Sequence, residues 1–298
     1  MQAKILKANL LLLLAAGIWG MAFVAQKVGS AYVGAFTFNG IRFALGSLTL
    51  LPVLLYFNKK SQASGEYKRY ENPLKGGIFA GCLIFFGNTF QQLGMSYTTV
   101  GNAAFITAMY IVLVPVLGVI LKHKISLSNW AGVGFAVVGL YFLTIKDSLV
   151  INTGDILQII CAFFFASHIV LIDQLVKKID GLQLSLVQFV TCSALSLICA
   201  FLFEDIRLGA IYQAAIPIMY GGFCSVGIAY TLQVIGQKNA KPSHAALIMS
   251  LEAVFGALGG LIILNEQLGF RGYIGCALML AGILITQYPN LRKFAKTA

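Results

Sequence analysis

Charge is what this chain has least of, and negative charge above all: Asp and Glu together number 10 in 298 residues, and only 10% of residues are charged. Soluble domains carry about 25% charged residues to wet their surface, so a soluble globular fold is excluded. Long polar segments are missing too. Only 58–73 (NKKSQASGEYKRYENP) is a loop of any size, which excludes a separate extramembrane domain. No Walker-type phosphate loop, HExxH pair or nucleophile elbow occurs in the sequence, and each is the signature of a distinct catalytic machinery. ATP-driven transport would therefore need a partner subunit. The six cysteines (Cys82, Cys161, Cys192, Cys199, Cys224 and Cys276) all fall in apolar runs, with no CxxC spacing and no histidine set beside them. They read as apolar packing residues, and neither a disulfide framework nor a zinc site is expected.

What is present is apolar length. Hydrophobic residues make up 59% of the chain. They fall into ten runs: 9–28, 35–57, 74–94, 102–121, 127–145, 155–176, 184–203, 213–236, 243–264 and 270–288. A helix needs about 20 residues to cross about 30 Å of hydrocarbon, so each run predicts a membrane span. Pro52, Pro115 and Pro217 lie inside runs, where neighbouring helices can satisfy the freed backbone groups. The N-terminal run continues past Trp19 to Val28 without a small-x-small cleavage site, so it is expected to stay as the first span.

The net charge of +11 does not call for a nucleic-acid partner. When the connections are assigned alternately to two sides, sixteen of the 21 Lys and Arg residues fall on the side of the termini, Lys59, Lys60, Lys68, Arg69 and Lys75 among them. Lys27, Lys146, Arg207 and Arg271 fall on the other side, and Arg42 lies inside a run. This is the positive-inside pattern. It predicts a multi-pass protein of the cytoplasmic membrane with both termini in the cytoplasm and basic loops near anionic headgroups.

The halves of the chain resemble each other. NAAFITAMYIVLVPVLG (102–118) aligns with SHAALIMSLEAVFGALG (243–259) without a gap, Gly132 and Gly139 match Gly275 and Gly282, Gln26 falls against Asp173 and Arg42 against Gln188. Five spans per half place the second repeat upside down relative to the first. The expected fold is therefore an all-α integral membrane protein of ten transmembrane helices, built as two inverted five-helix repeats, residues 1–149 and 150–298. Inverted repeats recur in secondary transporters, with substrate bound near the midplane between them.

Four blocks carry a family likeness: WGMAFVAQK (19–27), the Arg42 in FNGIRFALGS, FITAMYIVLVPVLG (105–118), and SLEAVFGALGGLIILNEQL (250–268) followed by Gly272, Gly275 and Gly282. Through them nearly the whole chain resembles the drug/metabolite transporter superfamily, in particular its bacterial EamA-type members. The resemblance implies ten helices, cytoplasmic ends and movement of small organic metabolites, often outward. Ala253 stands where such members often have proline, and His123 and Lys124 where the first repeat often has an acidic residue.

An ionisable residue deep in the membrane is costly and faces the bundle interior. Glu252, mid-span with no charged neighbour in sequence, is the leading candidate to contact substrate or carry a proton; its alternative is a buried packing residue. Trp19, Tyr110 and His168 lie at similar depth. Asn88, Gln91 and Gln92 share one helix face, as do Tyr230 and Gln233. Unpartnered amides are expensive in lipid, so these faces are expected to meet each other or water around a polar cavity. The expected substrate-binding set is Glu252, Tyr110, Asn88, Gln91, Trp19, His168 and Tyr230, with Glu252 and Arg42 in coupling or gating. Arg42 can attract an anion, pair with a carboxylate or reach the headgroups, and the family likeness favours a structural or gating role. Lys27 is expected to snorkel to the interface, Asp173 to pair with Lys177, and Glu266 to serve structure. His168 and Asp173 match an acyltransferase HxxxxD spacing, but on one helix they point about 140° apart. Gly77/Gly81 and Gly256/Gly260 read as seams inside one chain; they do not set the oligomeric state and are compatible with a monomer.

The expected function is a secondary transporter that moves a small metabolite, an amino acid or related compound, by alternating access. Export is the favoured direction, with proton coupling as one option. No catalytic residue, metal or cofactor is expected. The alternatives are an exchanger of phosphorylated or nucleotide-linked sugars, which needs positive charge in the cavity, a membrane-embedded enzyme, and a channel or non-transporting scaffold.

Overall fold

The computed structural model describes residues 2–64, 70–122, 125–144, 152–263 and 269–295. Among them there is no strand. The helices are α1 Gln2–Gly29, α2 Ala35–Ser64, α3 Pro73–Met95, α4 Val100–Ala108, α5 Tyr110–Ile120, α6 Leu127–Thr144, α7 Thr153–Leu175 and α8 Gly181–Phe203. Then come α9 Leu208–Gln213, α10 Ala215–Met219, a π-helical segment Tyr220–Tyr230, α11 Thr231–Gln237, α12 Pro242–Met249, α13 Glu252–Ile263 and α14 Phe270–Ala295. Eight helical stretches are long and apolar enough to cross a membrane. The fifth and tenth predicted runs supply two shorter apolar helices, Leu127–Phe142 and Phe270–Ile285. Glu266 lies outside the described residues.

Three predicted runs are not single regular α-helices. The run 102–121 is interrupted at Met109, where backbone bonding slips to Met109 N–H on Ile106 O at 3.1 Å. The run 243–264 is interrupted at Ser250–Leu251, where Leu251 N–H reaches Ile248 O at 3.2 Å and the Ser250 hydroxyl donates to Leu247 O. These two turns lie on paired positions of the aligned blocks. The run 213–236 passes through the π-helical turns, which are rare and often functional.

The helices pack through glycine. A Cβ on Gly139 would lie 2.6 Å from the Gly275 carbonyl oxygen, and one on Gly282 would lie 2.6 Å from that of Gly132. The four glycines matched between the halves thus meet each other where α6 crosses α14. Gly77 faces Val187 and Gly81 faces Thr191 where α3 crosses α8, and Gly20 abuts Phe255 where α1 crosses α13. Close crossings between small residues are how helices associate when lipid offers no hydrophobic contrast. The outer surface carries apolar side chains such as Leu48, Phe201 and Ile216, while Gln26, Asn39, Arg42, Asn88, Gln158 and Gln188 are buried. Polar groups gather inside because they find partners only there.

Ends of elements are fixed by side chains. Asn72 caps α3 ahead of Pro73, Asn152 and Asp155 form a capping box on α7, and Asp180 caps α8. The start of α2 is capped from a distance. Both Glu204 carboxylate oxygens, just past α8, accept from the Phe36 and Thr37 amides at 2.8 Å. An anion at a helix N-terminus satisfies orphan donors and opposes the dipole. Glu204→Ala is therefore expected to cost about 1 kcal/mol of stability, read as a lower melting temperature; an unchanged melting temperature would show that the cap contributes nothing.

Candidate functional site

The cavity is assembled from eight helices and the π-helical segment. Trp19, Phe23 and Gln26 recur at i, i+4 and i+7 on α1, which puts them on one face. Asn88 and Gln91 come from α3, Arg42 from α2, His168 with Phe165 and Ile169 from α7, and Gln233 from α11. Ser225 and Tyr230 come from the π-helical segment, Met249 ends α12, and Tyr110 and Glu252 are the first residues after the two interruptions. All eight residues singled out from the sequence (Trp19, Arg42, Asn88, Gln91, Tyr110, His168, Tyr230 and Glu252) line this one cavity.

A hydrogen-bonded chain runs along one wall. Arg42 Nε donates to Asn39 Oδ1 at 3.0 Å and its Nη2 to Asn88 Oδ1, and Asn88 Nδ2 donates to the Tyr230 hydroxyl at 3.0 Å. The Tyr230 ring stands edge-on to Trp19 at 4.8 Å and to His168 at 6.2 Å. The Trp19 indole N–H donates to the Ser225 carbonyl, and His168 Nε2 lies 3.1 Å from Gln188 Oε1. Gln188 is the residue aligned with Arg42 in the other half, and both matched positions bond to cavity-lining residues. Gln91 is bound at 3.5 Å to Thr107, whose hydroxyl donates to Gln158.

Other parts of the lining are short of partners. Gln26 Oε1 and Gln233 Oε1 are buried without a hydrogen-bond partner among the described residues, and Tyr110 and Glu252 have only each other. Each such atom costs free energy unless something fills it.

About 40 Å³ of the cavity is open to the centre of a water molecule, which suits a few waters and not a metabolite. A larger hollow of about 740 Å³ opens at the end of the bundle that carries the N-terminus, between Ile5, Ser126, Asp173, Lys177 and His244. A packed apolar cluster with Leu12, Tyr110, Val114, Ile169 and Met249 bridges the two, since Tyr110 and Ile169 line the cavity and Val114 lines the hollow. Asp173 pairs with Lys177 at 2.8 Å in that hollow.

One set of alternatives narrows and one expectation changes. Arg42 is 1% exposed, which goes against its reaching the headgroups, and among the described residues no carboxylate pairs with it. Lys27 does not simply snorkel; its amine donates to Met95 O at 2.7 Å and Thr98 O at 2.9 Å, at the C-terminal end of α3. Gln92 Nε2 adds a bond to Gln26 O at 3.1 Å. Together these bonds tie α1 to α3 at the end away from the hollow. Lys27→Met removes two bonds from a charged donor, each of which contributes about 1.5–3 kcal/mol. It is expected to lower the melting temperature and to speed labelling of a cysteine placed at Gln26 from that side. Labelling no faster than in the Lys27 parent would show that the tie holds nothing shut.

Phe23, Gln26 and Phe165 follow from faces already marked by Trp19 and His168. Ser225 contributes through its carbonyl, for which a sequence has no sign.

The EamA-like transporter family is matched over residues 6–145 and again over 152–288. An uncharacterized transporter of Archaeoglobus fulgidus is 32% identical over 95% of this chain and 86% of its own length. The uncharacterized transporter YoaV of Bacillus subtilis is 22% identical, over 93% of this chain and 95% of its own. A crystal structure superposes with a TM-score of 0.78, over 96% of this chain and 98% of that one; at 16% identity this shows a shared fold and no more.

Proposed function

This chain belongs to the EamA-like transporter family, and from that premise we propose that it is a secondary carrier moving a small organic metabolite through the central cavity by alternating access. The observation that carries the reading is the cavity itself: buried, lined from both halves of the chain, and holding polar atoms that the fold leaves without partners. A scaffold has no use for such a site, since unfilled buried polar atoms only destabilise it.

The repeats are read as residues 1–149 and 150–298, in inverted orientation, with α6 and α14 completing ten spans. Two separate family matches and two interruptions at aligned positions support this. Interrupted helices at midplane are a recurring device for placing binding groups in transporters. The basic loops support reading the hollow between α1, α6, α7 and α12 as facing the cytoplasm, and on that reading the carrier is opened inward and closed outward. The membrane is read as the cytoplasmic one. Export is the favoured direction, and Glu252 is read as the residue that exchanges protons or contacts substrate.

A carrier of phosphorylated or nucleotide-linked sugars fits less well. Arg42 is the one cation among the cavity-lining residues, against the two or more negative charges such a substrate bears. Flux into proteoliposomes tests the proposal. Saturable, competable uptake of one metabolite class is expected; conductance without saturation would replace the carrier by a channel.

A further inference from the structure

We propose that the hollow is closed by an exchange of ion-pair partners, in which the Asp173 carboxylate leaves Lys177 on its own helix and pairs with Lys241 at the start of α12. The inference rests on the carrier reading and names the residues that close its second gate.

The sealed end of the molecule shows what closure is made of. There the last turn of α1 holds the connection 96–99 between α3 and α4. The Lys27 amine donates to Met95 O and Thr98 O, and Gln92 Nε2 on α3 donates to the Gln26 carbonyl. The Thr98 hydroxyl donates to Asp155 Oδ1 at 2.9 Å, which fixes the same connection to α7.

The matching elements stand at the end with the hollow. The match of Gln26 with Asp173 makes α7 the counterpart of α1, and the connection 238–241 between α11 and α12 the counterpart of 96–99. Deep in the bundle these elements share one packed apolar cluster, through Val170 and Ala240. Nearer the surface, no hydrogen bond or ion pair joins the last turn of α7 to 238–241 among the described residues. The hollow of about 740 Å³ opens there, lined by Asp173 and Lys177 on α7 and by Asn239 and Lys241 on the connection.

The charges suit a closure of opposite polarity. At the sealed end the helix brings a cation; here α7 brings a carboxylate and the connection brings Lys241. The Asp173 side chain is 7% exposed and held at 2.8 Å by Lys177, itself 60% exposed. Leaving a buried carboxylate unpaired is strongly destabilising, so a closing motion has to keep a cation on it. Lys241 lines the same hollow, and no carboxylate pairs with it among the described residues. Lys238, the connection's other cation, lies against Tyr70 and does not line the hollow. Solvent-facing ion pairs contribute little each. Exchanging one for another therefore keeps the two conformations close in free energy, as a carrier that visits both requires.

Two measurements test the exchange. A carbodiimide joins a carboxylate to an amine in contact with it. On the native protein in liposomes it is expected to give the Asp173–Lys241 amide beside the Asp173–Lys177 one, read by mass spectrometry. The second reads a cysteine placed at Gln26, labelled by an impermeant maleimide from the side away from the hollow. Lys177→Met is expected to speed this labelling and Lys241→Met to slow it, each by about two- to fivefold, the weight of one exposed pair. Both lysines lie at the far end of the molecule from the reporter, and in Asp173→Asn both effects are expected to vanish. A Lys177 link without a Lys241 link overturns the inference. So do lysine substitutions that act in the same direction or not at all, or effects that survive in Asp173→Asn. With saturable flux, any of these results leaves the carrier reading intact. No flux, in vesicles shown to hold folded protein, removes the inference together with that reading.

Discussion

Glu252→Gln is expected to leave the protein folded and to lower substrate flux by at least about tenfold, a loss of about 1.4 kcal/mol or more in transition-state or binding free energy. The substitution keeps side-chain volume, so packing is preserved. It exchanges an ionisable oxygen for an amide that cannot take up or release a proton. The fold makes little use of the charge on Glu252: it is 5% exposed, Tyr110 is the side chain that bonds to it, and no basic residue pairs with it among the described residues. Keeping an ionisable group in that position is expensive, and a purely structural role would favour an amide or an apolar residue there. Proton movement measured beside substrate flux separates its two possible duties. Loss of flux with loss of coupled proton movement assigns proton exchange; loss of flux with raised KM alone assigns contact with the cargo. Unaltered flux and unaltered pH dependence in the variant would make Glu252 a packing residue.

The helices were legible because lipid leaves the backbone no alternative to internal hydrogen bonding, and the loop charges marked where each run ends. The cavity residues were legible for the same reason in reverse: Asn88, Gln91, Glu252 and His168 are too polar to face hydrocarbon. What the sequence hid is tertiary. Nothing in Thr107-Ala108-Met109 or in Met249-Ser250-Leu251 breaks a helix, so the turns before Tyr110 and at Glu252 come from packing against neighbours. The π-helical turns of Tyr220–Tyr230 are fitted to α2, where Gly222 admits Leu45 and Val226 fills the space left by Gly46. Lys27 looked like an interfacial lysine because its partners are the carbonyls of Met95 and Thr98, which have no side-chain signature. Arg42 left several readings open because its partner Asn88 Oδ1 lies on another helix. In each case the missing information was the position of a neighbour far away in sequence.

Gly20→Leu is expected to be the most damaging single change to the fold, costing at least about 3 kcal/mol, the upper range for overpacking. Gly20 lies beside Trp19 on α1, where α1 crosses α13. Even a Cβ there would collide with the Phe255 Cβ and lie 2.7 Å from the Gly256 nitrogen and 2.8 Å from the Glu252 carbonyl oxygen. Two of these three obstacles are backbone, so no rotamer change relieves them; the helices must part. Parting them moves Trp19 away from Ser225 and Glu252 away from the cavity it shares with Trp19. The expected result is a sharp loss of folded yield, with any surviving protein unable to carry substrate. Gly134→Ala is the matched control. Gly134 is also inside a helix, but nothing lies within 4 Å of a Cβ built there. Removing the conformational freedom of that glycine is expected to hold or raise stability by about 0.5–1 kcal/mol. Equal tolerance of both substitutions would mean that α1 and α13 do not meet as closely as the structure has them. The α1–α13 crossing is also the place where fold and function are least separable, because one glycine sets the spacing of the two helices that carry the indole and the carboxyl.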